Sequence, residues 1–580
     1  MLAVSASSLA CPKQGHCPGC PLGAEPYADG LAKKGQALAA ALSAYPSLTP
    51  ELLEARPASP TLSYRLRAKL VTHGQALGLF ERGSHRVVDV AGCRVLSPAL
   101  TLTSAALRQL LPLPIYGADL READAGVLVT LLSDEPRARQ LLENAARGLV
   151  ERGEALSVAV SVRRSGDVRL LASEPEFVAG PPAARHSLRP GEPYAYAAHG
   201  GFVQAHAAQA GYVYAELGRG LRDRLGGGVE PAVLELFAGN GSLALALCKA
   251  GARVTAVEAY APAMALAEGA ASEQKLALCA VASDATRFMQ TAGGLGFDAV
   301  IVNPPRRGLT PELRSLIART QPRVLGYVSC NPHTLARDAW HLQRLGLSLE
   351  RVEPLDMIPW SDAIEALAWF RPGEPPAPRV LFEDDCSLAL EKPPHESLVE
   401  RGGALGSFTL RVRQLPGCAS ALPLDSWGAG VSGVCWFAKT RETPALLAAP
   451  GTAERELLVL ARGNLRKQGT VTRRGSAEPT RGARYLKQAE HGRHSLLTVF
   501  SADPSELGTL ADFASIRHPV LGDAAHGDPS SNDFLQHRHG LDRPFVHVRT
   551  SRLGRAEAHS ELAPDLLRVL TSLGSDEPAL

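Results

Sequence analysis

Apolar and polar residues alternate in short bursts over a long part of the chain. Between Tyr64 and about Tyr196 the segments RLRAKLVTH, ALGLFE, VVDV, GVLVTLL, LSVAVSVRR and DVRLLA follow one another. A period of two marks a strand with one buried face. This stretch therefore predicts an antiparallel β-rich domain, with helical insertions around Leu100–Leu111 and Arg137–Arg152. Upstream, the alanine-rich run from Gly30 to Tyr45 predicts a helix that leads into a proline-rich hinge near Pro57 and Pro60. From about Gly201 the texture changes. Apolar runs at 233–236, 254–257, 299–302 and 324–328 each end in glycine or polar residues, and helical patterns separate them. That alternation predicts an α/β domain built on a parallel sheet, with ligands bound beyond the carboxyl ends of its strands. Pro372–Pro378, PGEPPAP, reads as a linker by composition. The expected divisions are 1–58, a cysteine-bearing loop and linking helix; 59–200, the β-rich domain; 201–371, the α/β domain; 372–378, the linker; and 379–580, a further domain.

Length and charge narrow the class only slightly. The 580 residues suffice for three or four domains, and 45% apolar content is normal for a chain with real cores. The net charge of +2 gives no global pull towards nucleic acid, so any RNA contact must come from local patches. Arg65, Arg67 and Lys69 alternate with apolar neighbours on one strand and form one such patch; a plain solvated face is the competing reading. No apolar run is long enough to span a membrane, and Met1–Ala10 lacks a basic leader. Ten cysteines without a disulfide-like framework fit a reducing cytoplasm, and a cytoplasmic protein is expected.

The chemistry sits in a few motifs. Cys11, Cys17 and Cys20 form C-x5-C-x2-C in CPKQGHCPGC, a spacing at which three thiolates can ligate one centre. A closed site needs a fourth ligand. Cys93 is the better candidate and His16 reads as a surface residue. Structural zinc and an iron–sulfur cluster both remain open on these residues. In VLELFAGNGSLALAL, Gly239 and Gly241 let the backbone approach a ligand at the start of a helix. Glu258 ends the next strand, where a carboxylate can accept ribose hydroxyls, and Asp284 follows a third strand with access to an adenine edge. No third glycine opens the helix, so S-adenosylmethionine (SAM) is favoured over a dinucleotide. Asn303 follows the fourth strand and Cys330 the fifth, on one sheet edge. Glu365 lies in an apolar run, where a buried carboxylate must be paired or used; an outward-facing glutamate is the alternative.

Taken in order, these motifs resemble the RNA uracil-C5 methyltransferase family. The shared features are the cysteine pattern, F-x-Q (Phe202, Gln204), ELFAGNG, NPPRRG, SCNPHTLARD and the DMIP…E segment, over about residues 8–371. NPPRRG is similar to the RlmC/RlmD-like branch that methylates 23S ribosomal RNA, with transfer RNA as the alternative substrate. Cys11 stands so near the first residue that no TRAM β-barrel is expected. The resemblance implies a Rossmann-like SAM-dependent methyltransferase domain and a [4Fe-4S] cluster on Cys11, Cys17, Cys20 and Cys93. It implies SAM held by Gln204, the Glu235–Gly241 turn including Phe237 and Gly239, Glu258 and Asp284. It puts Asn303 at the reaction centre, Cys330 as the nucleophile and Glu365 as the base. A target uracil must be single-stranded or flipped to be reached; neither DNA nor a membrane is an expected partner. One departure stands out. Where the family writes histidines before the base, this chain has Trp360 and Ala363.

After the linker, RVLFEDDCSLALEKPPHES, GVCWFAKT, HPVLGDAAHGD and HRHGLDRPFVH resemble RluA-type pseudouridine synthases, which implies an α+β domain. The nucleophile position is kept as Asp425. Its arginine neighbour has become Pro423, the base-stacking aromatic is Leu457, and the arginine-bearing segment is replaced by Pro504–Leu510. These losses predict a module that binds or docks RNA without isomerising uridine, with a purely structural remnant as the competing reading. A bifunctional enzyme, and a non-catalytic RNA-binding assembly factor, are the competing expectations.

Overall fold

The computed structural model describes residues 8–163, 175–189, 191–226, 230–291, 296–399, 406–440, 453–471, 483–501 and 505–574. The chain divides into two compact units. One comprises Met1–Gly308, Thr320–Ala336 and Ser348–Pro372; the other comprises Leu309–Arg319, Arg337–Leu347 and Gly373–Leu580.

The first unit carries two large sheets. The seven-stranded one runs Val87–Asp89, Ala76–Phe80, Arg67–His73, Gly117–Ala123, Gly126–Ser133, Ser157–Val162, Glu176–Ala179. It is not wholly antiparallel as expected, because Gly126–Ser133 and Ser157–Val162 pair in parallel. The helix Arg139–Glu151 between them is long enough to carry the chain back to the same end, which a tight turn cannot do. That helix and Pro98–Gln109 contribute Leu142, Leu149, Leu100 and Leu107 to the core beside Leu120, Val129 and Val158. The segment DVRLLA, expected as a strand, lies outside the described residues. Arg67 is half-buried and reaches the carboxylate of buried Asp119 at 3.7 Å, so the basic patch is partly neutralised from the neighbouring strand.

The eight-stranded sheet runs Glu51–Leu52, Leu347–Leu355, Glu365–Pro372, Val324–Ser329, Ala299–Val302, Ala232–Leu236, Arg253–Glu258, Leu278–Ala282. Ala232–Leu236 lies parallel to both Arg253–Glu258 and Ala299–Val302, and Ala299–Val302 lies parallel to Val324–Ser329. These strands read as continuous Val/Ile/Leu runs because helices cover the sheet. The helix Ala207–Leu225 packs so closely that a Cβ on Gly220 would stand 2.3 Å from the Trp369 ring. Glu365–Pro372 enters antiparallel beside Val324–Ser329, with Ser329 paired to Ala366.

The second unit is an α+β structure on one ten-stranded, mostly antiparallel sheet. Phe408, Trp436, Phe437, Leu457, Val459, Phe513 and Val548 form its main core. It also holds a buried ionic network. Asp338 accepts hydrogen bonds from Arg314 at 2.8 Å and from Arg337 at 2.9 Å, and both arginines reach Asp542, at 3.4 and 3.2 Å. Arg344 and Arg411 share Glu396. Among the described residues no helix is long and apolar enough to cross a membrane. Breaking a buried pair by removing one partner leaves an uncompensated charge. Asp542→Ala is therefore expected to destabilise this unit by about 3–5 kcal/mol in urea unfolding, and a change under 1 kcal/mol, about the worth of an exposed pair, would show that the network contributes little.

Candidate functional site

The carboxyl edge of the parallel strands gathers most of the residues singled out above. Ala232–Leu236 runs straight into Phe237, which holds a positive φ of 63°, and then Gly239 at 59° and Gly241 at 77°. A bulky residue in the left-handed region is uncommon and persists only where its surroundings enforce it. A Cβ on Gly241 would stand 2.7 Å from that of Ala267, so only glycine lets the turn lie this close to the neighbouring helix. Asn240 Oδ1 accepts from the Ser242 backbone N–H and hydroxyl at the start of the helix Ser242–Lys249. Glu258, at the end of the adjacent strand, accepts the Gly239 N–H on one oxygen and the Tyr260 N–H on the other, both at 3.1 Å. Asp284 ends up exposed on the same edge and caps the following helix by accepting from the N–H groups of Thr286 and Arg287.

Two buried polar atoms in this cradle have no partner among the described residues, Glu235 Oε2 and Asn240 Nδ2. Burial, with the Glu258 charge nearby, pushes the Glu235 carboxyl up to about 8. Tyr214 lies within the field of Glu235 and hydrogen-bonds Gln204. Phe202 stands half exposed against Gly239, with the Arg67 guanidinium 5.4 Å from its ring centre. A glycine turn with open backbone, an acceptor at the next strand end and unpartnered buried polar atoms is a donor set that fits a nucleoside with a charged amino-acid tail.

Cys330 and Glu365 come together through strand register. Ser329 pairs with Ala366 across the antiparallel ladder, so the next positions of that register are Cys330 and Glu365. Residues directly opposite on such a ladder have Cβ atoms roughly 5 Å apart. Both side chains are half-buried. Burial and the Glu365 charge push the Cys330 thiol up to about 12, while the Arg306 guanidinium, hydrogen-bonded to it, works in the opposite direction. Burial likewise pushes Glu365 up to about 7, again opposed by Arg306. Arg306 was not among the residues singled out from the sequence. It sits three residues beyond Asn303, and its backbone carbonyl accepts from Asn331 Nδ2 at 3.0 Å and from the Thr334 hydroxyl at 3.2 Å, which ties the loop after one strand to the loop after the next. Two consecutive arginines after Pro304-Pro305 on a strand-end loop were the available signal. Asn303 itself donates its backbone N–H to the Leu236 carbonyl at 3.3 Å, beside the glycine turn.

The three cysteines of the amino-terminal motif and Cys93 are neighbours in the fold. Cys11, Cys20 and Cys93 pack against one small apolar cluster of Leu9, Tyr27, Leu31, Tyr64, Val95 and Trp360. Burial and the neighbouring thiols push Cys20 up to about 12 and raise Cys17 as well; Cys93 and Cys11 are among the thiols that act on both. Four half-buried soft donors gathered from two distant stretches suit a metal centre, although among the described residues no three such groups stand at the spacing of a formed one. His16 is exposed and faces Glu81 at 3.3 Å, away from this role.

In the second unit Asp425 is 4% exposed. One carboxylate oxygen accepts from Arg455 Nε at 2.9 Å and a second Arg455 nitrogen, and the other accepts the Trp436 N–H at 2.8 Å. The cation expected from the residue now occupied by Pro423 is thus supplied by Arg455, from a different strand. Leu457 is wholly buried in the core, and Glu506 accepts the Gly428 N–H instead of offering a positive charge. Pro504 lies outside the described residues.

Comparison with known proteins matches residues 224–371 to the model of the tRNA (uracil-5-)-methyltransferase family. A 23S rRNA (uracil(1939)-C(5))-methyltransferase, RlmD, of Pseudomonas aeruginosa is 30% identical over 378 residues, spanning 63% of this chain and 80% of that protein. An uncharacterized RNA methyltransferase of Thermosynechococcus vestitus is 29% identical and spans 61% and 81%. Among solved structures, the Pyrococcus abyssi tRNA (uracil-54, C5)-methyltransferase in complex with S-adenosyl-L-homocysteine has 22% identity and a TM-score of 0.49, over 62% of this chain and 86% of that one. Human RNA pseudouridylate synthase domain containing 1 has 13% identity and a TM-score of 0.27, over 32% and 83%.

The buried Glu235 yields a stability prediction. Its carboxyl binds a proton more tightly in the fold than in the unfolded chain, so its stabilising contribution is complete below the ordinary carboxylate range and is lost as pH rises towards about 8. Glu235→Gln should therefore be more stable to urea than the wild type at pH 8.5, by roughly 5 kcal/mol, with little difference at pH 4; equal behaviour at both pH values would show that the carboxyl is not held protonated.

Proposed function

Since this chain belongs to the RNA uracil-C5 methyltransferase family and is a SAM-dependent enzyme of that class, we propose that it methylates C5 of a uridine in 23S ribosomal RNA through a covalent bond between Cys330 and C6. The observation that carries this reading is the Ser329–Ala366 register, whose next positions are a thiol and a carboxyl beside one guanidinium.

The chemistry follows from the weakness of C5 as a nucleophile. Addition of the Cys330 sulfur to C6 forms a C–S bond and moves the ring electrons onto C5 and O4 as an enolate. SAM, when bound, supplies its methyl group as an electrophilic sulfonium carbon. C5 takes that methyl, and Glu365 then removes the C5 proton. The electrons of the C5–H bond re-form the double bond, the C6–S bond breaks, and Cys330 leaves as thiolate. Arg306 favours the thiolate that the buried surroundings otherwise oppose. Gln204, Phe237, Gly239, Glu258 and Asp284 are assigned to SAM, and Asn303 to the reaction centre between the methyl donor and the uracil.

Cys11, Cys17, Cys20 and Cys93 are assigned to a [4Fe-4S] cluster, which would brace the amino-terminal loop. The carboxyl-terminal domain is assigned to RNA binding. Arg455 restores a cation beside Asp425, and what speaks against attack on a nucleoside is burial: Asp425 is 4% exposed, and Leu457 is wholly buried where a stacking ring would be needed.

Incubation with labelled SAM and ribosomal RNA lacking the modification should yield 5-methyluridine and no new pseudouridine. Cys330→Ala should abolish the product. Glu365→Gln should accumulate a protein–RNA adduct that survives denaturing electrophoresis, because the thiol cannot be eliminated. Turnover should rise with pH through about 7 as Glu365 loses its proton. Methylation by Cys330→Ala would sink the covalent route. Iron and acid-labile sulfide, assayed after anaerobic purification, should both be present; zinc without sulfide would sink the cluster.

A further inference from the structure

Trp360 stands where the family resemblance leads one to expect a histidine, and its surroundings give it a definite task. It is 5% exposed and holds a positive φ of 70°, a strained conformation for a bulky residue that its contacts must enforce. Those contacts come from two sides. Its backbone carbonyl accepts the Leu22 N–H at 3.0 Å, two residues beyond Cys20. Its indole N–H donates to the Thr61 carbonyl at 2.9 Å, and its ring meets Tyr27 edge-on with centroids 5.2 Å apart. The same apolar cluster contains the partly buried Cys11, Cys20 and Cys93. Just upstream, Asp356 is clamped by the Tyr27 hydroxyl and the Lys34 ammonium, each at 2.7 Å, while Lys34 also donates to the Ile358 carbonyl and Tyr64 to the Pro359 carbonyl. Downstream, Ser361 accepts the Ala363 N–H, and two residues later the chain reaches Glu365. The cysteine loop and the carboxylate opposite Cys330 are thus joined by five residues of chain whose first member is held by the loop itself.

We propose that Trp360 is a positioning residue: it transmits the ordered state of the amino-terminal cysteine loop to Glu365, so that a centre bound by Cys11, Cys17, Cys20 and Cys93 sets the rate of C5 proton removal without contacting SAM or RNA. This inference rests on the roles proposed above for those cysteines and for Glu365.

The test uses the full chain, purified anaerobically, before and after chelation. Hydrogen exchange read by mass spectrometry should show faster exchange at 358–365, as well as at 11–23, once the centre is removed. Trp360→Ala should show that faster exchange at 358–365 before chelation, with none added by it. In steady state Trp360→Ala should lower kcat about 10- to 100-fold, the cost of an ångström-scale misplacement of a reacting group, while the KM for SAM stays unmoved. Trp360→Phe, which keeps the ring and loses only the indole N–H, should recover most of the rate. Removal of the centre should lower kcat of the wild type but not further lower that of Trp360→Ala. Exchange that rises at 11–23 alone, or losses from Trp360→Ala and from chelation that simply add, would overturn the proposal. Full turnover by Glu365→Gln would instead overturn the role of the base, and so separates the two failures.

Discussion

One backbone register governs the candidate site. The strand Glu365–Pro372 pairs antiparallel with Val324–Ser329 so that Ser329 faces Ala366, and the ladder ends where Cys330 and Glu365 would face each other. Strand pairing has a side-chain period of two, so a slip by one residue would turn either side chain to the opposite face. The apolar residues on both strands, Val328 and Leu367 among them, hold the register by burial. Every later consequence depends on this. The thiol is raised partly because a carboxylate lies beside it, and Arg306 moderates both groups because the loop that carries it is tied to Asn331 and Thr334.

The glycine turn proposed for the methyl donor is built by a separate and more local device. The parallel strands end together, and the chain after Leu236 turns through Phe237, Gly239 and Gly241 with positive φ angles. That turn exposes backbone, and Glu258 on the next strand holds it by accepting the Gly239 N–H. The glycine turn and the Cys330 and Glu365 positions therefore share one sheet edge. The same physical rule, that ligands bind beyond the carboxyl ends of parallel strands, places both.

The cysteine loop and the carboxyl-terminal unit show how far a replaced residue misleads when it is considered alone. Trp360 for histidine removes a polar group, yet the indole is buried and hydrogen-bonded and supports the segment that leads to Glu365. Pro423 removes a cation from beside Asp425, yet Arg455 supplies one across the sheet. In both places the neighbours in space, not the residue alone, set the local chemistry. Asp425 is both paired with Arg455 and almost wholly enclosed.

The succession of apolar runs, each ending in glycine or polar residues, was enough to read an α/β domain, its carboxyl edge and the positions of Gly239, Glu258, Asn303 and Cys330, because short-range periodicity and turn chemistry encode strand ends directly. The β-rich character of residues 59–200 was legible for the same reason. The parallel pairing of Gly126–Ser133 with Ser157–Val162 was not, since direction is decided by where the intervening helix delivers the chain. Glu365 was legible as a carboxylate in an apolar run, and only tertiary structure put it opposite Cys330, because that meeting depends on an antiparallel register between segments 36 residues apart. Arg306, the support of Trp360 and the Arg455–Asp425 pair were likewise decided by packing, as each depends on groups that no local spacing relates.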